Sequence, residues 1–319
     1  MKTHVVSLIS VIFFLGILGV VIWLGAPDTK SVPRENRLFV VTTLYPLEEL
    51  IRQVGGEYVY VANLIPPGAE PHDYEPTPRD VTDLLQADVL VYLGGGLDAW
   101  AEDLAPDVMA AGGLTLGIET VVPFYELSGG EVEVVADDHE HEHGNIDPHI
   151  WLDPVLMQQA IEGIRSTLTS ADPVRAQIYA ANAEAYTLKL MDLADEYTAA
   201  LAQCQLNDII AAHDAFGYLS RRYNFNLHSI AGMSPDAEPS VKDLTALART
   251  ARSLGVKTIF FETLVSPELA QTLAKEIGAE TAVLNPLEGL TEEELANSED
   301  YLSVMRTNLE ALSAAMLCR

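Results

Sequence analysis

From Leu38 onward the chain alternates short apolar runs with stretches of helical spacing, and one uninterrupted helical pattern divides that alternation into two similar halves. In the first half, residues 38–43 read as a buried strand, 47–54 as a helix ended by Gly55-Gly56, and 58–65 as a second strand. Pro66-Pro67-Gly68 forces a turn. A helix over 77–86 has Pro78 in its first turn, and a strand over 89–93 closes on Gly94-Gly95-Gly96. A helix over 97–105 and a strand over 114–118 follow. Strands alternating with helices argue for a parallel sheet covered on both faces.

The dividing pattern opens at Asp172-Pro173 and runs to about Gln203, a length that would span about 45 Å as a helix. Tyr179, Ala183, Tyr186, Leu190, Leu193 and Tyr197 recur along it at alternating steps of four and three, which places them on one apolar face. A helix over 154–168 precedes it. After Cys204 the alternation resumes: strands over 209–212, 228–230, 258–261 and 281–284, helices over 215–222, 241–254, 267–277 and 301–317. The expected fold is α/β, with two (β/α) lobes joined by a long rigid backbone helix. The expected divisions are 38–153, 154–203 and 204–319, behind an N-terminal segment 1–37. Residues 126–146 break the pattern as a polar, acidic loop that carries DDHEHEH from Asp137 to His143.

Charge narrows the function classes. Asp and Glu total 47 against 18 Lys and Arg, a formal net charge of −29. Nucleic-acid binding is disfavoured, because phosphate contacts demand the opposite sign. An acidic surface draws cations, although it is equally what a merely well-solvated surface looks like.

The N-terminus sets the compartment. Residues 5–25 are apolar apart from Ser7 and Ser10, which is longer than a signal-peptide core of roughly 7–15 residues and long enough to cross a bilayer. Ala26 would suit a cleavage site, but Leu24 is a poor residue at −3. No cysteine follows the run, which argues against lipid attachment there. The expectation is an uncleaved anchor, with a cleaved signal peptide as the alternative, and in either case the acidic body outside the cytoplasm. The two cysteines, Cys204 and Cys318, invite a disulfide in an oxidising compartment, with two free thiols as the alternative.

Three of the eight histidines stand where predicted strands end: His72 in PPGAEPHDYEPTPRD, His149 in DPHIWLDP, and His213 in IIAAHDAFGYL. In open α/β sheets, ligand-binding groups gather beyond the carboxyl ends of strands. Three converging imidazoles suit Zn²⁺, and each needs a neighbour to fix its tautomer; Asp73, Asp147 and Asp214 flank them. Spacing alone does not show convergence, and a lone His is more often a satisfied polar residue than a ligand. His228 reads as a local packing or capping residue, and Trp100 and Trp151 as core or lobe-interface aromatics. Gly94–Gly96 has no Lys-Ser/Thr after it, so a nucleotide site is disfavoured.

The segments PPGAEPHDYEPTPRDVTDLLQADVLVYLGGGLDAW, DPHIWLDP, AAHDAFGYLSRRYNF, VLNPLEGLT and YLSVMRTNLEAL resemble, in order, the zinc/manganese-type solute-binding proteins of ABC importers, and PHDYEPTP and HDAFGYL are highly specific. The resemblance implies two lobes clamping one metal in the cleft between them, with His72 and His149 as ligands from the first lobe and His213 from the second. Manganese receptors of this family resemble the pattern with Glu at the third place, so His213 points to zinc, with Mn²⁺ as the lesser alternative. Many members have an Asp where this chain has Asn285. Receptors sharing the NPLE pattern use its Glu, which here is Glu288. Glu262, Asn285 and water are the competitors for that fourth position. The histidine loop resembles those of zinc receptors, with His139, His141 and His143 as auxiliary ligands. The cysteines match places where related receptors have a bridge, so Cys204–Cys318 is the implied pair. The implied partners are an ABC permease and its ATPase subunit, with the chain a membrane-anchored monomer. The competing classes are a surface adhesin and a zinc hydrolase or lyase. The latter lacks an HExxH-type motif and would lose its open position to a fourth protein ligand.

Overall fold

The computed structural model describes residues 36–126, 146–235 and 239–319. The N-terminal apolar run and His139, His141 and His143 lie outside them. Among the described residues no helix is long and apolar enough to cross a membrane.

The first sheet is built from β1 (Leu38–Thr42), β2 (Val59–Asn63), β3 (Val89–Tyr92) and β4 (Leu114–Gly117), all parallel, in the order β2-β1-β3-β4. β3 is buried along its whole length, as its unbroken VLVY demands of a strand covered on both faces. Between these strands lie α1 (Tyr45–Gly55), α2 (Pro78–Leu85) and α3 (Ala99–Ala111). α1 buries Leu47, Leu50, Ile51 and Val54, the i, i+3, i+4, i+7 face of an amphipathic helix. α2 starts on a capping box of Thr77 and Asp80 with Pro78 in its first turn.

The glycine run after β3 takes positive φ at all three positions, 82°, 66° and 93°. Two of its three amides are already taken: Gly94 N–H donates to Asp98 at 2.8 Å and Gly95 N–H to Glu119 at 2.8 Å. The turn serves the fold and offers no anion cradle.

A two-stranded antiparallel pair, β5 (Tyr125–Glu126) with β6 (Ile146–Asp147), leads into α4 (Pro154–Ala171) and α5 (Ala176–Ala200). The expected dividing helix is shorter than its pattern. Residues 173–175 form a separate 3-10 turn, and regular hydrogen bonding ends at Ala200, giving a helix of about 37 Å. Its stripe of Tyr179, Ala183, Tyr186, Leu190, Leu193 and Tyr197 is buried throughout.

The second sheet has β7 (Asp208–Ala211), β8 (Asn226–Ser229), β9 (Thr258–Phe261) and β10 (Glu280–Val283), parallel, in the order β10-β9-β7-β8. Its helices are α6 (Gly217–Tyr223), α7 (Val241–Leu254), α8 (Glu268–Ile277), α9 (Glu292–Ala296) and α10 (Tyr301–Ala315). The short α9 is absent from the sequence reading, although Thr291 and Glu294 form the capping box that starts it.

One apolar core runs through both halves. It joins Val40, Val89 and Trp151 to Tyr186, Tyr197, Phe216, Leu284 and Tyr301. Each half also has a smaller core of its own. A continuous core resists wide hinge motion, since packed interiors do not shear without loss of contacts. The disulfide Cys204–Cys318 ties the residues ahead of β7 to those after α10.

Candidate metal centre

The strand ends assemble the centre. His72 sits in a 3-10 turn, Pro71–Asp73, beyond β2; His149 follows β6; His213 follows β7; and Glu288 lies in the loop between β10 and α9. The four side chains offer donor atoms that all lie within 4.8 Å of one another. Glu288 Oε1 is 3.4 Å from His72 Nε2, 3.3 Å from His149 Nε2 and 3.2 Å from His213 Nε2. His149 Nε2 and His213 Nε2 are 3.3 Å apart. Zinc–nitrogen bonds of 2.0–2.1 Å in a tetrahedron require donor–donor edges of about 3.3–3.4 Å, and these four distances match that value.

The two buried histidines are oriented in the same way. Asp147 Oδ1 accepts from His149 main-chain N–H at 3.0 Å and pairs with ring Nδ1 at 2.9 Å. Glu262 Oε1 does the same for His213, at 3.1 Å and 2.7 Å. A carboxylate at Nδ1 selects the tautomer with its proton there, which turns the Nε2 lone pair inward. Lone pairs and a carboxylate facing each other in a buried space call for a cation. Without metal, protons supply it. Burial opposes charge on His213, but Glu262 and Glu288 outweigh it and hold its pKa at about 10. Burial likewise opposes charge on His149, and the bonds to Asp147 and Glu288 leave its pKa raised. Burial works against the Glu288 anion too, yet hydrogen bonds from His149, His213 and His72 hold it well below the usual carboxylate range.

Several sequence expectations need correction. Asp214 does not orient His213; its main-chain N–H bonds Gly232 C=O, and Glu262 occupies the Nδ1 position. Asp73 is not the partner of His72, whose main-chain N–H is accepted by Glu70 at 3.2 Å. Glu262 touches His213 through Nδ1, on the side of the ring away from the other donors, so it orients and is not among the four converging groups. Asn285 is also outside them. Its side chain accepts from Leu287 N–H at 2.8 Å and donates to Glu294, and its backbone is held on both sides by Asn308. These bonds fix the turn in which Leu287 takes φ of 57°, unfavourable for a leucine, immediately before Glu288.

The remaining assignments fall where expected. His228 bonds Asp208 at 3.0 Å and is not among the four converging groups. Trp151 is fully buried and donates to Pro286 C=O at 2.6 Å. Glu70 went unnoticed in the sequence: burial and the nearby Glu288 push its carboxyl up to about 8. Its signal was only its place two residues before His72.

A family model described as "ZnuA: Zinc-uptake complex component A periplasmic" matches residues 40–315. The chain belongs to the ZnuA family. Among ZnuA-family relatives, the high-affinity zinc uptake system protein ZnuA of Bacillus subtilis is 37% identical over 295 residues, covering 92% of this chain and 91% of that protein. The zinc-binding protein AdcA of a Streptococcus pyogenes strain is 38% identical over 303 residues, covering 89% of this chain. The chain spans only 57% of that AdcA's length. The crystal structure of Zn(II)-bound AdcA from Streptococcus pneumoniae superposes with a TM-score of 0.75 at 36% identity, over 88% of this chain and 58% of that one.

Proposed function

We propose that the chain is the extracytoplasmic zinc-capture receptor of an ABC-type importer. It holds Zn²⁺ on His72, His149 and His213 through Nε2 and on Glu288 through a carboxylate oxygen. The observation that carries this reading is that four of the six donor edges, those from Glu288 to the three imidazoles and between His149 and His213, are 3.2–3.4 Å, the length a tetrahedral zinc requires, with every donor within 4.8 Å of the others. Relatives named for zinc uptake support it. Four protein donors fill the tetrahedron, whereas catalytic zinc keeps one position for water, so the site suits capture and not catalysis. Three imidazoles and one carboxylate favour zinc over the harder Mn²⁺.

Residues 38–153 and 204–319 act as the two lobes on either side of linking helices 154–203. The N-terminal apolar run holds a monomeric receptor at the outer face of the membrane, where it passes zinc to a permease driven by a separate ATPase subunit. His139, His141 and His143 gather zinc loosely for the main site. The test is metal competition on the full-length chain: equimolar Zn²⁺ and Mn²⁺ are offered and the bound metal is measured. One zinc per chain with manganese excluded is expected; manganese retained against zinc would sink the reading.

A further inference from the structure

His149 precedes the linking helices in sequence, yet its segment is fastened to the second half of the chain. Tyr218 Oη, on α6, donates to Asp147 C=O at 2.8 Å and accepts from Tyr125 N–H at 2.8 Å. Tyr301 Oη, on α10, donates to Trp151 C=O at 2.6 Å. Trp151 Nε1 donates to Pro286 C=O at 2.6 Å, in the same turn that presents Glu288. Arg222 Nε meets the Asp153 carboxylate at 2.5 Å. Gly217 lets the two parts close up: a Cβ there would stand 2.5 Å from Asp147 Oδ2. Tyr218, Trp151 and Tyr301 are all fully buried, so each bond lies in a dry environment and is costly to leave unmade.

His72 is held differently. Beyond the shared Glu288 oxygen, no polar group among the described residues meets its ring nitrogens, and its side chain keeps 11% exposure where the other three ligands have none. Its loop meets the Glu288 loop through a backbone bond, Gly68 N–H to Leu290 C=O at 3.1 Å. Among the described residues it has no counterpart of the Asp147 or Glu262 carboxylate to fix its ring.

We infer that the centre divides three to one. His149, His213 and Glu288 form one body with the second lobe, and zinc is released by parting first from His72. Tyr218 is a positioning residue of that body: it fixes the main chain of Asp147, and Asp147 fixes the ring of His149. This division rests on the zinc-receptor reading and deepens it, since a cargo held by three fixed donors and one yielding donor can leave without disassembling the site. A ligand's departure must be small in scale here, because the core is continuous through both lobes.

The test uses the full-length chain and its His72→Ala, His149→Ala, His213→Ala and Tyr218→Phe variants. Zinc stoichiometry, competitive affinity and the rate of zinc loss to excess chelator are measured for each, with the visible spectrum of the cobalt-substituted form. His72→Ala keeps one zinc per chain and loses it faster. His149→Ala and His213→Ala bind zinc at least about 100-fold more weakly than His72→Ala. Tyr218→Phe lowers affinity about tenfold, within the range for an outer-shell partner, and shifts the cobalt ligand-field bands. The inference is overturned if His72→Ala loses zinc as completely as the other two histidine variants. It is also overturned if Tyr218→Phe, folded by circular dichroism, leaves affinity and the cobalt spectrum unchanged. A wild-type chain that takes up no zinc would overturn the receptor reading itself, which the variant comparison leaves distinct.

Discussion

Replacing Glu262 with Gln separates orienting from ligating. Glu262 Oε1 receives both His213 main-chain N–H, at 3.1 Å, and ring Nδ1, at 2.7 Å. A carboxamide oxygen can accept both bonds, so the ring stays in place and only the charge is lost. Loss of such an outer-shell partner lowers metal affinity about 10–100-fold, or about 1.4–2.8 kcal/mol of binding. Glu262 is also the largest contributor raising the His213 pKa, so the variant's empty site sheds its proton at lower pH, which offsets part of the loss near neutrality. Glu288→Gln, in contrast, weakens a donor that faces all three Nε2 atoms, and its loss exceeds the outer-shell range. The assay is competitive titration against a chromophoric chelator at fixed pH. Abolished binding in Glu262→Gln with near-normal binding in Glu288→Gln would refute the assignment and make Glu262 the ligand.

Zinc uptake near pH 7 should release at least one proton, from His213, whose pKa of about 10 keeps it charged in the empty site. Calorimetry in two buffers of different ionisation enthalpy checks this, and zero released protons would contradict it. Metal-free stability should respond to the same group: His213, raised from 6.5 to about 10, contributes fully below pH 6.5 and loses that contribution as pH rises to about 10. A thermal melt series of metal-free protein from pH 6.5 to 10 should therefore show a falling midpoint, less so in His213→Gln. Replacing both Cys204 and Cys318 with Ser should cost about 2–5 kcal/mol by denaturant unfolding while zinc stoichiometry stays at one. The bridge precedes β7, and His213 follows that strand's other end. Asn285→Ala should free the turn that holds Leu287 at φ of 57° and weaken zinc binding through misplacement of Glu288, measured by the same titration.

The architecture was legible because both periodicities are strong. The run VLVY, closed by three glycines, reads as a buried strand, and the stripe from Tyr179 to Tyr197 reads as one helix face. Boundaries were less legible: the pattern from Asp172 to Gln203 continues through a 3-10 turn at one end and beyond the last helical bond at the other. Within the site, Asp147 could be found because it bonds a main-chain N–H two residues on, a local Asx pattern. Glu262 could not. It reaches His213 across the sheet, three residues beyond the paired Ile210 and Ile259, so only the strand order of β7 and β9 brings them together. Asp214, adjacent to His213 in sequence, leaves a turn in another direction. The attachment of the His149 segment to the second half is equally invisible, since Tyr218 and Tyr301 lie 71 and 150 residues from the carbonyls they bond.

The central claim is one zinc held by His72, His149, His213 and Glu288. The measurement that tests it most directly is a competitive zinc titration of the full-length chain beside two variants. One carries His213→Ala; the other replaces His139, His141 and His143 with Ala. The account predicts one tight zinc per chain in the wild type and in the loop variant, and its loss in His213→Ala. Zinc that survives His213→Ala and disappears with the loop histidines would contradict it.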